Sequence, residues 1–541
     1  MSTFRPTDEQ QAAIDYNESM VITACPGSGK TTVMKEKIRQ ITNSLPNHKG
    51  VIAITFTQKA SQELKTRCQY NSHDTKQSFF GTIDSFCLTE IILPFISRIW
   101  GSSATDISIV KKIPHEYLSF FSRIYNIPTI DDIIQDDGFR NLFESGILWM
   151  KSFASLSTYI LRESQSACRY IKSKYSHIFV DEYQDSSEPQ HQLFLEIKNL
   201  GLITTVVGDI WQSIYEFRGG NSRLLEELIR DSDNFRHFEI TINHRCHPSI
   251  INYASRLLNY NHTLTEYNPN NIKVYRKNIS GNVYNAAAVI SSWVTHLLAN
   301  GHATHSSDIA ILSRKKESIK LLASNLSIPY RIHIDNKLDK ISSKCSDLYI
   351  DLLYYRFNST TTIQDIIDKH FDRNNLTIIK LSTLRNKIKS LRKENISIEE
   401  TIDNFRELAT ILHILNTEVE DNALQEIIED QNSINQFKPL NQNEIQLMTL
   451  HKSKGLEFNI VFHIDMEEWT FPYRTMGETW DDIIYPTLSQ DINLHYVGIT
   501  RAKNLCFLIK LEYRQNSKGE FKRSSPSYFL TLPQLEGLYN T

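Results

Sequence analysis

The segment Val21-Ile22-Thr23-Ala24-Cys25-Pro26-Gly27-Ser28-Gly29-Lys30-Thr31-Thr32 constrains the fold of this chain more than any other. An apolar strand runs into a glycine-bearing turn that ends on Gly-Lys-Thr and opens a helix. A strand-turn-helix unit of this kind belongs in a parallel sheet with ligands at the strand ends. The glycines let consecutive N–H groups point at one anion, Lys30 adds a mobile cation, and the Thr31 hydroxyl can ligate Mg²⁺. Ala24, Cys25, Pro26, Gly27, Ser28, Gly29, Lys30, Thr31 and Thr32 are therefore the candidate phosphate cradle, with Ala24 where the strict pattern has glycine.

A second apolar strand, Ile178-Phe179-Val180, delivers Asp181 and Glu182 at its end. Asp181 is placed to hold Mg²⁺, directly or through water. Glu182 can orient and deprotonate a water that attacks a γ-phosphate. A pair of carboxylates in an acidic loop would be unremarkable, but behind an apolar strand and downstream of a phosphate loop it completes a hydrolytic site.

Composition limits how such a site can work. The chain has 541 residues, enough for roughly three or four domains. With 59 Lys and Arg against 62 Asp and Glu, its net charge of −3 excludes a generally basic nucleic-acid coat. Any nucleic acid must lie in a local groove. Seven cysteines occur without a C-x-x-C pair, so neither a zinc site nor a disulfide framework is expected. The polar start and the lack of a membrane-length apolar run lead us to expect a reducing, cytoplasmic setting with no membrane partner.

Strand-like runs at 51–57, 178–180, 203–207, 309–312, 445–449, 460–464 and 505–511 alternate with helical segments. That alternation predicts α/β domains with parallel sheets. Two stretches, from about Leu88 to Tyr170 and from about Asn336 to Leu440, are rich in Leu, Ile, Asn and charge and carry few strand signals. Neither has the Pro, Gly or Ser content of a linker, so each is expected to be a helical insertion.

Further motifs follow in order: Val51 to Ser61, Gly81-Thr82-Ile83-Asp84-Ser85-Phe86, Val207 to Gly219, Asn243-His244-Arg245, Gln446 to Phe458, Met466 to Pro472 and Tyr496 to Ala502. Together with the two nucleotide motifs, this series resembles the UvrD/Rep type of superfamily 1 DNA helicases. The resemblance covers both α/β blocks and leaves the two insertions unmatched. It implies two RecA-like P-loop domains with parallel sheets, each interrupted by a mainly helical subdomain. On this pattern 1–87 and 171–237 form domain 1A, 88–170 subdomain 1B, 238–335 and 441–541 domain 2A, and 336–440 a short subdomain 2B.

The resemblance also implies roles for single residues. Gln10 matches the residue that reads the adenine edge, Gln212 the γ-phosphate sensor, and Glu457 the ribose-contacting carboxylate. Arg245 and Arg501 match two arginines that domain 2A carries onto the γ-phosphate, where such groups are worth roughly 10³–10⁵ in rate. Relatives sandwich adenine between an arginine and a tyrosine at the positions of Thr32 and His244. Threonine cannot stack, so looser base selectivity is expected. Ahead of the last motif, Gln490-Asp491-Ile492-Asn493-Leu494 replaces an acidic and Arg-rich run, so some interdomain or nucleic-acid polar contacts are expected to be missing there.

For DNA, the resemblance points to Phe56, Thr57, Thr82, Tyr215, Phe217, Arg218 and His451, with the aromatics stacking bases. Phe217 stands where relatives commonly have tryptophan. The implied activity is ATP-dependent 3′→5′ translocation on single strands and unwinding of tailed duplexes, with ATP and Mg²⁺ as cofactors. The alternative is an ATP-gated regulatory or scaffolding subunit of a DNA-processing or defence complex. Nothing after Ala502 forms a nuclease-like carboxylate and lysine cluster, so any nuclease partner is expected as a separate chain. The segment Lys380 to Lys393, with Leu381, Leu384, Ile388 and Leu391 at helical spacing, reads as an amphipathic helix with a cationic face. That face is expected to be solvated and balanced by the acidic stretch Glu399–Asp430, with contact to duplex phosphates as the alternative.

Overall fold

The computed structural model describes residues 5–103, 107–216, 219–341, 343–370, 378–393, 397–412, 414–478, 482–516 and 518–541. Two compact units make up the chain. The first contains Met1–Ile107, Ile113–Tyr267 and Thr487–Thr500; the second contains Ser108–Lys112, Asn268–Pro486 and Arg501–Thr541.

The first unit is built on a parallel sheet of six strands: β1 (Met20–Ala24), β2 (Gly50–Ile54), β3 (Phe79–Gly81), β4 (Tyr175–Val180), β5 (Ile203–Gly208) and β6 (Arg236–Ile240). Their spatial order is β3-β2-β4-β5-β1-β6. Strand β2 is buried along its whole length, as a parallel strand covered on both faces must be, and this is why it reads as an unbroken apolar run. On one face Ala13, Ile14, Val33, Met34 and Ile38 from the helices Asp8–Asp15 and Lys30–Ser44 pack against Ile22, Phe179 and Val207 of the sheet.

The boundary expected between 237 and 238 falls inside β6. This strand pairs with β1 from Met20–Arg236 to Ala24–Ile240, and the chain stays with the first unit as far as Tyr267. Burial of Ile240, with Phe238 packed beside it, holds the strand there. Residues Thr487–Thr500, expected in the other α/β domain, also belong to the first unit. Within the first insertion the longest helices are Phe153–Glu163 and Gln165–Lys174.

The second unit repeats the plan with β7 (Val274–Ile279), β8 (Ile309–Ser313), β9 (Tyr330–His333), β10 (Ile445–Thr449), β11 (Phe458–His463) and β12 (Ala502–Leu511). They lie in the order β9-β10-β8-β11-β12-β7, all parallel. Between β9 and β10 the second insertion forms helices with their own core, in which Leu348, Leu352, Ile388, Leu391, Phe405, Leu408 and Leu424 meet. Arg331 of β9 holds its return to the sheet: the guanidinium donates to the carbonyls of Asn435, Lys438 and Pro439 and pairs with Glu444 at 2.8 Å. Among the described residues no helix is long and apolar enough to cross a membrane.

Candidate nucleotide site and nucleic-acid surface

Strand β1 ends at Ala24 and the helix begins at Lys30, so the turn between them is Cys25–Gly29. Gly27 and Gly29 have φ of +71° and +84°, a region glycine enters without the clash a Cβ brings. Space as well as conformation requires glycine here. A Cβ on Gly27 would lie 2.4 Å from the Cβ of Arg245, and one on Gly29 would lie 2.9 Å from Gln10 Nε2. The close approach arises because β6 runs beside β1 and carries Asn243 and Arg245 onto the loop. The His244 N–H donates to Gly27 O at 3.0 Å, and the Asn243 amide donates to Pro26 O. Asn243 Oδ1 in turn accepts from the N–H groups of Arg245 and Cys246, each at 2.8 Å.

Arg245 therefore sits in the same unit as the phosphate loop, whereas the sequence led us to expect it from the other α/β domain. The cause is the pairing of β6 with β1. Arg501 belongs to the second unit, where it is 2 % exposed and donates from Nη1 to Leu456 O at 3.1 Å. Glu457 pairs there with Lys503 at 2.6 Å, and His451 opens the turn that follows β10.

Gln10 is buried, and both ends of its amide are engaged. Nε2 donates to Ser28 O at 2.8 Å, and Oε1 accepts the Thr7 N–H at 2.9 Å to complete a capping box. It thereby fixes the loop. Lys30 Nζ donates to Ala24 O at 3.2 Å. The Cys25 thiol donates to Thr241 O, and burial pushes it up to about 12, so it stays protonated and supplies no nucleophile. Thr32 is half-buried and His244 is exposed.

Asp181 and Glu182 leave the end of β4. The Glu182 N–H donates to Asp181 Oδ1 at 2.9 Å, and Glu182 itself adopts φ 54°, ψ 40°, a left-handed conformation that side-chain-bearing residues rarely hold outside functional sites. What keeps the carboxylate in place is Gln184, which is fully buried. Gln184 Nε2 donates to Glu182 Oε2 at 2.5 Å, and Gln184 Oε1 accepts the Asp209 N–H at 3.0 Å. Asp209 Oδ2 then accepts from Gln212 Nε2 at 2.7 Å. A continuous buried chain of polar groups thus links Glu182 to Gln212, and such chains set geometry because each broken link leaves a buried group without its partner. Burial pushes the Asp209 carboxyl up; the nearby Lys30 cation and the Gln212 amide oppose the shift.

Gln184 and Asp209 were not singled out by sequence, although Gln184 lies two residues beyond Glu182 and Asp209 inside the run Val207 to Gly219. An amide with one end on each of two strand-end motifs is visible only once β4 and β5 are neighbours.

The Asp181 carboxylate and the Thr31 hydroxyl are both hard oxygen donors, and two of them are too few to enclose a cation alone. That suits Mg²⁺, which is usually held by one or two carboxylates together with phosphate oxygens and water. The glycine cradle, with its neighbours closer than a Cβ allows, fits a ligand that approaches the backbone itself.

On the same unit the rings of Phe56 and Tyr215 stack, with centroids 5.0 Å apart and planes 14° from parallel. Phe56 is 39 % exposed, so part of its ring stays open to solvent. Thr57 and Thr82 cap the helices that follow them, accepting from Ala60 N and Ser85 N. Trp211, missed by the sequence reading, is 46 % exposed and lies between Asp209 and Tyr215 in the chain. Phe217 and Arg218 lie outside the described residues. The segment 490–494 makes polar contacts within the first unit, which leave untouched the expectation about interdomain and nucleic-acid contacts. Gln490 bonds to Glu216, and Asn493 Nδ2 donates to Ser213 O at 3.1 Å.

Comparison with known families agrees with this arrangement. Residues 9–218 match the family described as AAA domain, and residues 329–513 match the UvrD-like helicase C-terminal domain. The Gabija protein GajB of Bacillus cereus (strain VD045) is 28 % identical over 513 residues, covering 91 % of this chain and 92 % of the relative. The ATP-dependent DNA helicase Rep of Buchnera aphidicola subsp. Schizaphis graminum is 27 % identical, covering 97 % and 96 %. For the ATP-dependent DNA helicase PcrA of Staphylococcus epidermidis the identity is 24 %, over 96 % and 85 %.

Proposed function

The chain belongs to the UvrD/Rep-type superfamily 1 helicases, and from that premise we propose that it is an ATP-driven motor that moves 3′→5′ on single-stranded DNA and separates tailed duplexes. One observation carries the reading. The segment from Asp209 to Tyr215 joins the hydrolytic carboxylate to the stacked aromatic pair: its first residue is bonded through Gln184 to Glu182, and its last stacks on Phe56. A nucleotide that moves Gln212 moves this segment, and with it the ring on which a base would lie.

In this mechanism the loop N–H groups and Lys30 bind the phosphates, and Gln10 holds the loop's shape. Mg²⁺, when bound by Thr31 and Asp181, supplies charge neutralisation at the transferring phosphoryl group. Glu182, held by Gln184, orients the attacking water and takes its proton. Arg245 lies beside the loop, where its charge can stabilise the transition state. We assign Arg501 and Glu457 to nucleotide contacts, and Phe56, Thr57, Thr82, Tyr215, Phe217, Arg218 and His451 to the strand, on the family pattern. With Thr32 in place of the stacking arginine, GTP should compete measurably with ATP; strict exclusion of GTP contradicts this.

A second reading is favoured by one observation, the match to GajB across nine-tenths of both chains. In that reading the ATP cycle gates a partner, such as a separate nuclease, within a DNA-processing or defence complex, and unwinding is incidental. ATPase and strand-displacement assays on 3′-tailed, 5′-tailed and blunt duplexes, wild type against Glu182→Gln, decide between them. Unwinding only from 3′ tails, lost in Glu182→Gln, is expected. ATPase activity indifferent to every DNA would leave the gating role.

A further inference from the structure

The cationic segment Lys380 to Lys393 belongs to the second insertion, far in sequence from every motif of the motor. Its helix, Ile378–Ser390, buries Leu384 and Ile388 in the insertion core, and Leu391 follows just beyond its end. The cations it leaves outside have two different fates. Lys387 pairs with Glu407 of the facing helix. Arg385 and Lys389, on the other side, turn toward the loop 359–364, where with Arg392 and Lys393 they line an open cavity of about 730 Å³.

Among the described residues the cavity lining holds no carboxylate; its remaining walls come from residues such as Ser359, Thr361, Thr362 and Gln364. Arg392 is built into the wall. It lies 4.0 Å from the centroid of the Tyr355 ring and donates to the carbonyls of Tyr355, Asn358 and Thr361. Arg385 rests on the Gln364 side chain at 3.0 Å. None of these four cations forms an ion pair with a described residue. Of the acidic stretch expected to balance them, Glu407 pairs with Lys387, Asp421 holds Arg406 and Tyr349, Glu420 caps its own helix and accepts from Ser343, and Glu426 meets Lys337. Asp365, in the first turn of the helix Ile363–His370, accepts from the Thr362 N–H and hydroxyl.

Four like charges gathered around one hollow repel one another, and a chain of net charge −3 has carboxylates to spare for separating them. Their concentration here, beside hydroxyl and amide groups, is the chemistry of a polyanion site. We propose that this cavity binds a compact anion with clustered phosphates, a free nucleoside triphosphate or an inorganic oligophosphate, at a second site separate from the phosphate loop. Its volume falls in the range of small-molecule sites, about 300–1,000 Å³. The concave arrangement favours phosphates held in one cluster over the regular, extended spacing of a nucleic-acid backbone. An oligophosphate would place its oxygens among Arg385, Lys389 and Lys393, with Arg392 fixing the wall. The proposal stands independently of the motor reading.

The test uses the full chain with the phosphate loop disabled by Lys30→Ala and titrates inorganic tripolyphosphate by calorimetry. Saturable binding at one site is expected. Adding Lys389→Ala and Lys393→Ala should weaken it by roughly tenfold or more, the scale of losing charge-assisted contacts. Adding Lys387→Ala instead, on the same helix but paired with Glu407, should leave it unchanged. Binding that is absent, that survives loss of Lys389 and Lys393, or that weakens equally with Lys387→Ala overturns the proposal. So does displacement of tripolyphosphate by a single- or double-stranded oligonucleotide at equal phosphate concentration, which would make the cavity a nucleic-acid contact. Circular dichroism on each variant confirms that the helices of the insertion remain.

Discussion

The two sheets share a plan but treat the turn that follows one of their strands in opposite ways. In the first unit β1 is followed by the five-residue turn Cys25–Gly29, which leaves a cradle lined by backbone. In the second, β8 is followed by Arg314 and Lys315 before the helix Lys316–Ala323 starts. That shorter turn is filled by the protein itself. Asp465, just past the neighbouring strand β11, accepts from Arg314 N at 3.1 Å, from Lys315 N at 3.3 Å and from the Ser313 hydroxyl. Its counterpart in the first unit, Asp209, just past β5, turns instead toward Trp211 N and Gln212. A parallel strand that ends at a helix makes a place for an anion in both units. In the second unit a carboxylate of the protein takes that place, whereas in the first Asp209 turns away from it.

If this contrast is right, substitutions at corresponding places must have different kinds of effect. The largest is expected at Lys30→Ala, which should lower DNA-stimulated ATPase activity by about 10²-fold or more while leaving the melting temperature nearly unchanged, since the lysine serves the ligand. Activity close to wild type would mean that the cradle is not the hydrolytic site. Gln184→Ala should lower kcat by roughly tenfold with little change in KM, because it releases Glu182 without touching the cradle. An equal fall in nucleotide affinity would show that Gln184 acts on binding instead. In the second unit, Asp465→Ala should cost about 1–3 kcal/mol of stability, the range for stranding buried donors, measured by denaturant unfolding. A stability matching wild type would remove the internal-anion account.

A pH-dependent effect concerns Glu467, two residues beyond Asp465, whose carboxyl is pushed up to about 8 by burial and then by the Asp465 charge. A carboxyl raised on folding binds a proton that the unfolded chain, with its pKa near 4.3, releases. Its contribution to stability is complete below that value and is lost as pH rises through about 8. Stability of the wild type should therefore decline across this window, and Glu467→Gln should flatten the decline. Identical slopes in the two proteins would place the titration elsewhere.

The phosphate loop, the carboxylate pair and the α/β plan could be read from sequence because each is local: a short apolar run, a turn with glycine at fixed offsets, and a helix. The helical insertions were legible for the same reason, from composition and periodicity. The sheet to which Arg236–Ile240 belongs was not, because its alternating residues suit an edge position in either unit and only pairing with Met20–Ala24 decides. That single pairing moved Arg245 to the side of the loop. The place of Gln184 was hidden in the same way, since its two partners are one strand apart in space and lie in separate motifs.

Sequence by itself determined the chemistry available to this protein: which side chains can cradle phosphate, hold a metal, take a proton or stack on a base. Tertiary structure decided which of them act together, through the adjacency of β4 with β5 and of β1 with β6, and it separated the paired Lys387 from the cations around the insertion cavity. The physical reason is range. Turn geometry and helix periodicity are set by neighbours in the chain, whereas strand order, buried amide bridges and the balance of charge are set by residues brought together only when the apolar faces close.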